Sequence, residues 1–168
     1  MKLSSMMCMA VLCTMAAVPG CRRAQPSGPP VIRLGLDPCV ECGMLVMEEH
    51  CSCALLISED DQHEYIFFDD IGCLLDYQAN HSQIQVVDTF VRDFKTSVWT
   101  TGMNAHYVFS DVHAVSTPMG SGMVAFALES AAHDHRTVSG GKLHTFQELA
   151  QARRQWRAQR QSQSVGAP

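Results

Sequence analysis

The run Cys39-Val40-Glu41-Cys42-Gly43-Met44 places two thiols three positions apart and a thioether two residues later, just after a stretch rich in Pro and Gly. A thioredoxin-type motif would close a strand and open a long helix. Here a Pro-rich segment precedes the pair and Met44-Leu45-Val46-Met47 follows it, which predicts a loop or hairpin. Such a turn lets two sulfurs converge on one ion or on each other. From the residues alone, metal binding, a disulfide and inert thiols all stand open for Cys39 and Cys42.

The segment upstream bears on that choice. Residues 1–20 carry Lys2, an apolar run from Met6 to Val18, and Gly20 before Cys21. The run is shorter than the roughly 20 apolar residues of a spanning helix, so it reads as an export signal. Val18-Pro19-Gly20-Cys21 resembles a bacterial lipobox, whose cysteine is acylated and becomes the mature N-terminus; Pro19 departs from the usual pattern. Residues 21–36, rich in Pro, Gly, Ser and Arg, read as a lipid-anchored tether. Residues 37–158 form the folded part and 159–168 a flexible tail.

If Cys8 and Cys13 leave with the signal and Cys21 is acylated, Cys39, Cys42, Cys51, Cys53 and Cys73 remain, an odd number. An exported chain with an odd count cannot pair every thiol internally, so disulfide stapling does not explain the cysteines. Net charge is −5, and four of the twelve basic residues (Arg153, Arg154, Arg157 and Arg160) gather near the C-terminus. No aromatic and basic interleaving accompanies them, so they read as the solvated end of a helix and nucleic acid is not an expected partner.

Periodicity predicts strands at Ala54–Ile57 and Tyr65–Phe68, then a helix capped by Asp69 or Asp70 with Ile71, Leu74 and Leu75 on its buried stripe, then a strand over Gln83–Val91. The second half weakly echoes this order. Tyr107–Phe109 and Val124–Leu128 read as strands, Arg136-Thr137-Val138 as a returning strand, and Gly140-Gly141 as a break before a last helix. Thr145 and Glu148 open that helix as a capping box, with Phe146, Leu149 and Trp156 on one face. The expected fold is α+β, two similar strand-strand-helix-strand units at about 37–92 and 98–158.

Other candidate ligands have plain alternatives. Pro and Gly around Met119 fix a turn that makes it an awkward core residue. Its thioether is either a soft ligand for Cu(I) or a hydrophobic plug on a turn. His50-Cys51-Ser52-Cys53 offers further soft donors or a strand edge with one buried thiol. His133 and His135 read as a solvated hairpin tip, and Cys73 as a packed small hydrophobe. A structural zinc site needs two more Cys or His ligands, and Cys51 and Cys53 are too closely set for the usual second pair. There is no nucleophile elbow, phosphate-binding loop or dinucleotide fingerprint, so no catalytic residue and no small-molecule substrate is expected.

The lipobox, CVECGM, Phe68-Asp69-Asp70-Ile71-Gly72-Cys73-Leu74, Val98-Trp99, Ala105-His106-Tyr107-Val108 and the Met119-Gly120 loop together resemble the NosL family, copper-binding accessory lipoproteins of nitrous-oxide reductase. The resemblance implies a two-unit α+β fold and a Cu(I) chaperone, not an enzyme, lipid-anchored in the periplasm. Its partners would be the membrane, nitrous-oxide reductase and a membrane copper-maturation complex. The family's ligands would map onto Cys42 and Met119, with Cys39 a companion. Two other readings compete: a periplasmic thiol-disulfide redox protein using Cys39 and Cys42, and a zinc-stabilised interaction module.

Overall fold

The computed structural model describes residues 24–111 and 113–165; the signal segment and Cys21 lie outside the described residues. Among them no helix is long and apolar enough to cross a membrane. Two sheets make up the architecture. The first unit runs β1 (Cys53–Glu59), β2 (Gln62–Phe68), α1 (Ile71–Asn80), β3 (Gln85–Arg92) and β4 (Trp99–Thr101), in sheet order β2-β1-β3-β4. The second runs β5 (His106–Phe109), β6 (Met123–Phe126), α2 (Glu129–Ser139) and β7 (Lys142–His144), in sheet order β6-β5-β7, before α3 (Phe146–Val165). In each unit the first strand lies in the middle, paired antiparallel with its successor and with the strand that follows the helix. The strand-strand-helix-strand order does recur, but in β5, β6, α2 and β7, so the counterpart of α1 is α2 and not the last helix that Thr145 opens.

Local chemistry explains the first unit. Residues 53–57 of β1 are buried without alternation, as expected of a central strand covered on both faces. Asp60 and Asp61, at φ 48° and 59°, turn the chain into β2. Both central residues are left-handed, which suits the right-handed twist of a two-residue hairpin loop and which Asp tolerates better than most side chains. Asp70 caps α1, its Oδ1 accepting the Gly72 N–H at 2.6 Å.

The core belongs to both units. Leu55, Phe68, Ile71, Leu74 and Val91 of the first pack with Tyr107, Met123, Ala125 and Leu149 of the second. A smaller cluster of Val108, Val124, Phe126 and Ala132 lies near α2. Between the units, the buried Asp93 carboxylate accepts the Ala127 N–H at 2.8 Å, and the Phe94 N–H donates to the Ala125 carbonyl at 2.8 Å. The chain leaving β3 is thereby stitched to β6.

Several expectations fail in the second half. Arg136-Thr137-Val138 is not a strand but part of α2, and the returning strand is β7, beyond Gly140-Gly141. α2 buries only Ala132, so it lacks the apolar stripe that marks a helix in sequence. His133 and His135 are therefore not at a hairpin tip. Two positions apart on a helix they point to different sides; His135 stacks edge-on with Phe94, while His133 stands 3.8 Å from Glu129. The stretch from 159, expected to be a loose tail, continues α3 to Val165. The C-terminal arginines are not all solvated: Arg153 donates from Nε and Nη2 to Asp76 at 3.0 and 2.8 Å, and Arg157 joins at 3.2 Å, clasping α3 to α1.

Candidate metal centre

The C-x-x-C segment is a tight hairpin. Pro38 and Leu45 face each other as a β-bridge, the Cys39 N–H donates to the Met44 carbonyl at 2.7 Å, and the Gly43 N–H to the Cys39 carbonyl at 2.8 Å. Gly43 sits at φ 75°, a left-handed position that glycine adopts without strain. This geometry turns the Cys39 side chain into the core, fully buried, while Cys42 is only partly covered at the rim.

The hairpin rests on the β2–α1 junction, and the junction supplies the remaining donors. The Sγ atoms of Cys39, Cys42 and Cys73 and a carboxylate oxygen of Asp69 all lie within 4.8 Å of one another. Ligands about 2.3 Å from one ion stand at most about 4.6 Å apart, so these four atoms could close on a single metal with only slight adjustment. The Cys42 thiol approaches both Asp69 oxygens at 3.7 Å. Asp69 is itself buried, and it is Asp70, not Asp69, that caps the helix. One carboxylate is thus left to face the sulfurs.

Ionisation is shared unequally among the thiols. A hydrogen bond from the Cys73 S–H favours the Cys39 thiolate and lowers its pKa to about 6. Cys73, holding that proton and buried, is pushed up. Burial raises Cys42 to about 11 and Cys51 to about 12. Cys39 is therefore the thiol that ionises first, and each thiolate formed opposes the next until a cation enters.

Met119 lies at the same end of α1. Its loop is a turn in which the Gly120 N–H donates to the Thr117 carbonyl at 2.9 Å, while Thr117 Oγ1 accepts from the Ser121 and Gly122 N–H groups at 2.9 and 3.3 Å. The Met119 N–H donates to Asp70 Oδ2 at 3.2 Å, and its side chain is 44% exposed. The fit is close: a Cβ added at Gly72 would stand 2.7 Å from Ser121 Cβ. The second unit thus reaches over the junction where the thiols gather. Cys51 and Cys53 are both buried free thiols, Cys51 ending a short 3₁₀ turn and Cys53 opening β1, so the expectation of one buried thiol on a strand edge undercounts them.

Sequence reasoning brought forward Cys39 and Cys42 but not Asp69 or Cys73 as members of the cluster. Cys73 is indeed packed in the core, as expected, yet it also faces the other sulfurs. The available signal was position: Asp69 and Cys73 flank the cap residue Asp70 at the start of α1.

Comparison with known proteins follows the same lines. The NosL family model matches residues 35–153. No curated protein matches the sequence. Among solved structures, the crystal structure of the copper chaperone NosL from Shewanella denitrificans is similar at 22% identity with a TM-score of 0.65, covering 76% of this chain and 98% of that one. At that identity the likeness bears on the fold.

Proposed function

This chain belongs to the NosL family, and from that premise we propose that it is a Cu(I) chaperone, carrying the ion as cargo and catalysing no reaction. The carrying observation is the meeting of three thiols and one carboxylate within 4.8 Å, with one thiol at the surface and two inside. Soft thiolates prefer Cu(I), and binding expels the thiol protons as the ion enters. Cys39 supplies the first thiolate, Cys73 stands behind it, and Cys42 at the rim is the ligand a recipient can replace first. Met119 offers a neutral sulfur from the second unit. That difference in exposure allows stepwise exchange, in which an incoming ligand joins before an outgoing one departs.

The rest of the proposal concerns setting. The lipobox-like Cys21 would anchor the protein on the periplasmic side of a membrane, and the cargo would be exchanged with a membrane copper-maturation complex and with nitrous-oxide reductase. Periplasmic oxidation of the thiols competes with loading, so a reductant or prompt metal supply is required.

Anaerobic competition against a Cu(I) chelator tests the site. Cys42→Ser is expected to weaken binding by about a hundredfold or more, on the scale of losing a direct ligand when outer partners alone are worth 10–100-fold. Met119→Leu should cost less, roughly tenfold, and both variants should keep the native circular dichroism. Unchanged affinity in both would reject the site. The zinc reading gains from one observation, since Cys73 and Asp69 supply the two further donors a tetrahedral site needs. Elemental analysis of anaerobically purified protein with a free-thiol count separates copper, zinc and a metal-free disulfide couple.

A further inference from the structure

We propose that the anchored domain stands on end, with the β1–β2 turn toward the lipid surface and the thiol cluster turned away from it toward the aqueous phase. This rests on the reading of Cys21 as a lipid attachment. The segment expected to be a tether is not free along its length. Gln25 Nε2 donates to the Asp61 carbonyl at 2.8 Å, and the His63 N–H donates back to Gln25 Oε1 at 2.7 Å. The Tyr65 hydroxyl donates to the Gly28 carbonyl at 2.5 Å, and farther on the Val40 N–H donates to the Phe67 carbonyl at 3.0 Å. Residues 25, 28 and 40 thus meet residues 61 to 63, 65 and 67 in the same order. The segment is a strap running along the free edge of β2 from its turn to its metal end, and it also covers an otherwise unpaired strand edge.

Reach then sets the orientation. Three residues, 22–24, lie between Cys21 and Gln25, so the two stand at most about 14 Å apart. The turn at Asp60-Asp61 is therefore held close to the bilayer. From Asp61 to Asp69 the chain advances eight residues, mostly along β2, about 26 Å at strand rise. The sulfurs gather at that far end. Glu59, Asp60, Asp61 and Glu64 line a cavity of about 620 Å³ at this near end, with Tyr77 and His81 on its wall. An anionic surface repels such a patch within a Debye length of about 8 Å, so charge opposes close contact at this end and the short reach from Cys21 carries the orientation. The strap and the short reach from Cys21 fix the direction.

The test uses the full chain purified from bacterial membranes, with intact mass reporting whether Cys21 carries an acyl group. A fluorescent amino acid is placed at Asp60 in one preparation and at Leu45, on the thiol hairpin, in another. Each is reconstituted in phosphatidylcholine vesicles bearing nitroxide headgroups. The proposal expects quenching at least threefold stronger at position 60 than at position 45, and a smaller ratio when Gln25→Ala and Tyr65→Phe cut the strap. Acylated protein with equal quenching at both positions, or stronger quenching at 45, overturns the orientation and leaves the anchor reading intact. An unacylated Cys21 overturns the anchor reading, and the orientation with it.

Discussion

The two units share a strand order but not a helix start. In the first, β2 delivers the chain into α1 through Asp69-Asp70; Asp70 caps the helix, and residues 71–75 are all buried. In the second, β6 leads into α2 through Leu128, which offers no side-chain cap, and Ala132 alone is buried. The difference lies in what covers each junction. The first is covered by the CVECGM hairpin and the Met119 loop, so a buried carboxylate and two buried sulfurs can face a third sulfur, that of Cys42, at the rim. The second carries the exposed Leu128 and Glu129. A repeated topology thus provides two equivalent corners, and only the covered one acquires chemistry.

The largest effect should come from the sulfurs. Cys39→Ser removes the thiol that ionises first, and Cu(I) affinity measured by chelator competition is expected to fall by more than a hundredfold while the second unit's amides keep their chemical shifts. Breaking the cover is next. Asp70 is fully buried and accepts from both Gly72 and Met119. Asp70→Ala leaves two donors unpaired and uncaps α1, which should cost about 3 kcal/mol, seen as a fall in Tm of roughly 10 °C.

Asp93 tests the seam between the units. Burial pushes its pKa up, but hydrogen bonds from the N–H groups of Ala127, Thr96 and Lys95 and from the Thr96 hydroxyl outweigh this and hold it below 3.8. A carboxylate with a depressed folded pKa stabilises fully above its unfolded value, and that contribution disappears as pH falls through the lower folded value. Asp93→Asn should therefore cost about 1–2 kcal/mol at neutral pH in urea titrations. It should also show a shallower loss of stability than the parent below about pH 3.8. The smallest effect would make the corners more alike: Leu128→Asp gives α2 a side-chain cap at an exposed, extended position and should raise stability by about 0.5–1 kcal/mol in the same titration, without changing metal affinity.

How far each corner was visible in sequence follows from the same contrast. β1, β2, α1 and β3 announce themselves because each carries a concentrated apolar run that it buries, residues 53–57 of β1 and 71–75 of α1 among them. α2 buries one alanine and so leaves no period to detect, which is why Arg136-Thr137-Val138 reads as a strand and turns out to be helical. The capping box at α3 was legible, and it forms: the Thr145 N–H and hydroxyl both donate to Glu148 Oε2, at 2.8 and 3.0 Å. The clasp of Arg153 and Arg157 on Asp76 was not, since nothing in a helix's own sequence says which partner its arginines will meet.

By itself the sequence determined the thiol pair and its turn and the strands and helix of the first unit, because these depend on spacing within short stretches. Only the tertiary structure decided that Cys73 and Asp69 meet Cys39 and Cys42, that the Met119 loop packs on the start of α1, and that the supposed tether is bonded to β2. Each of these joins residues far apart in the chain, and such meetings are fixed by how the two sheets bury their shared core, a property no local pattern carries.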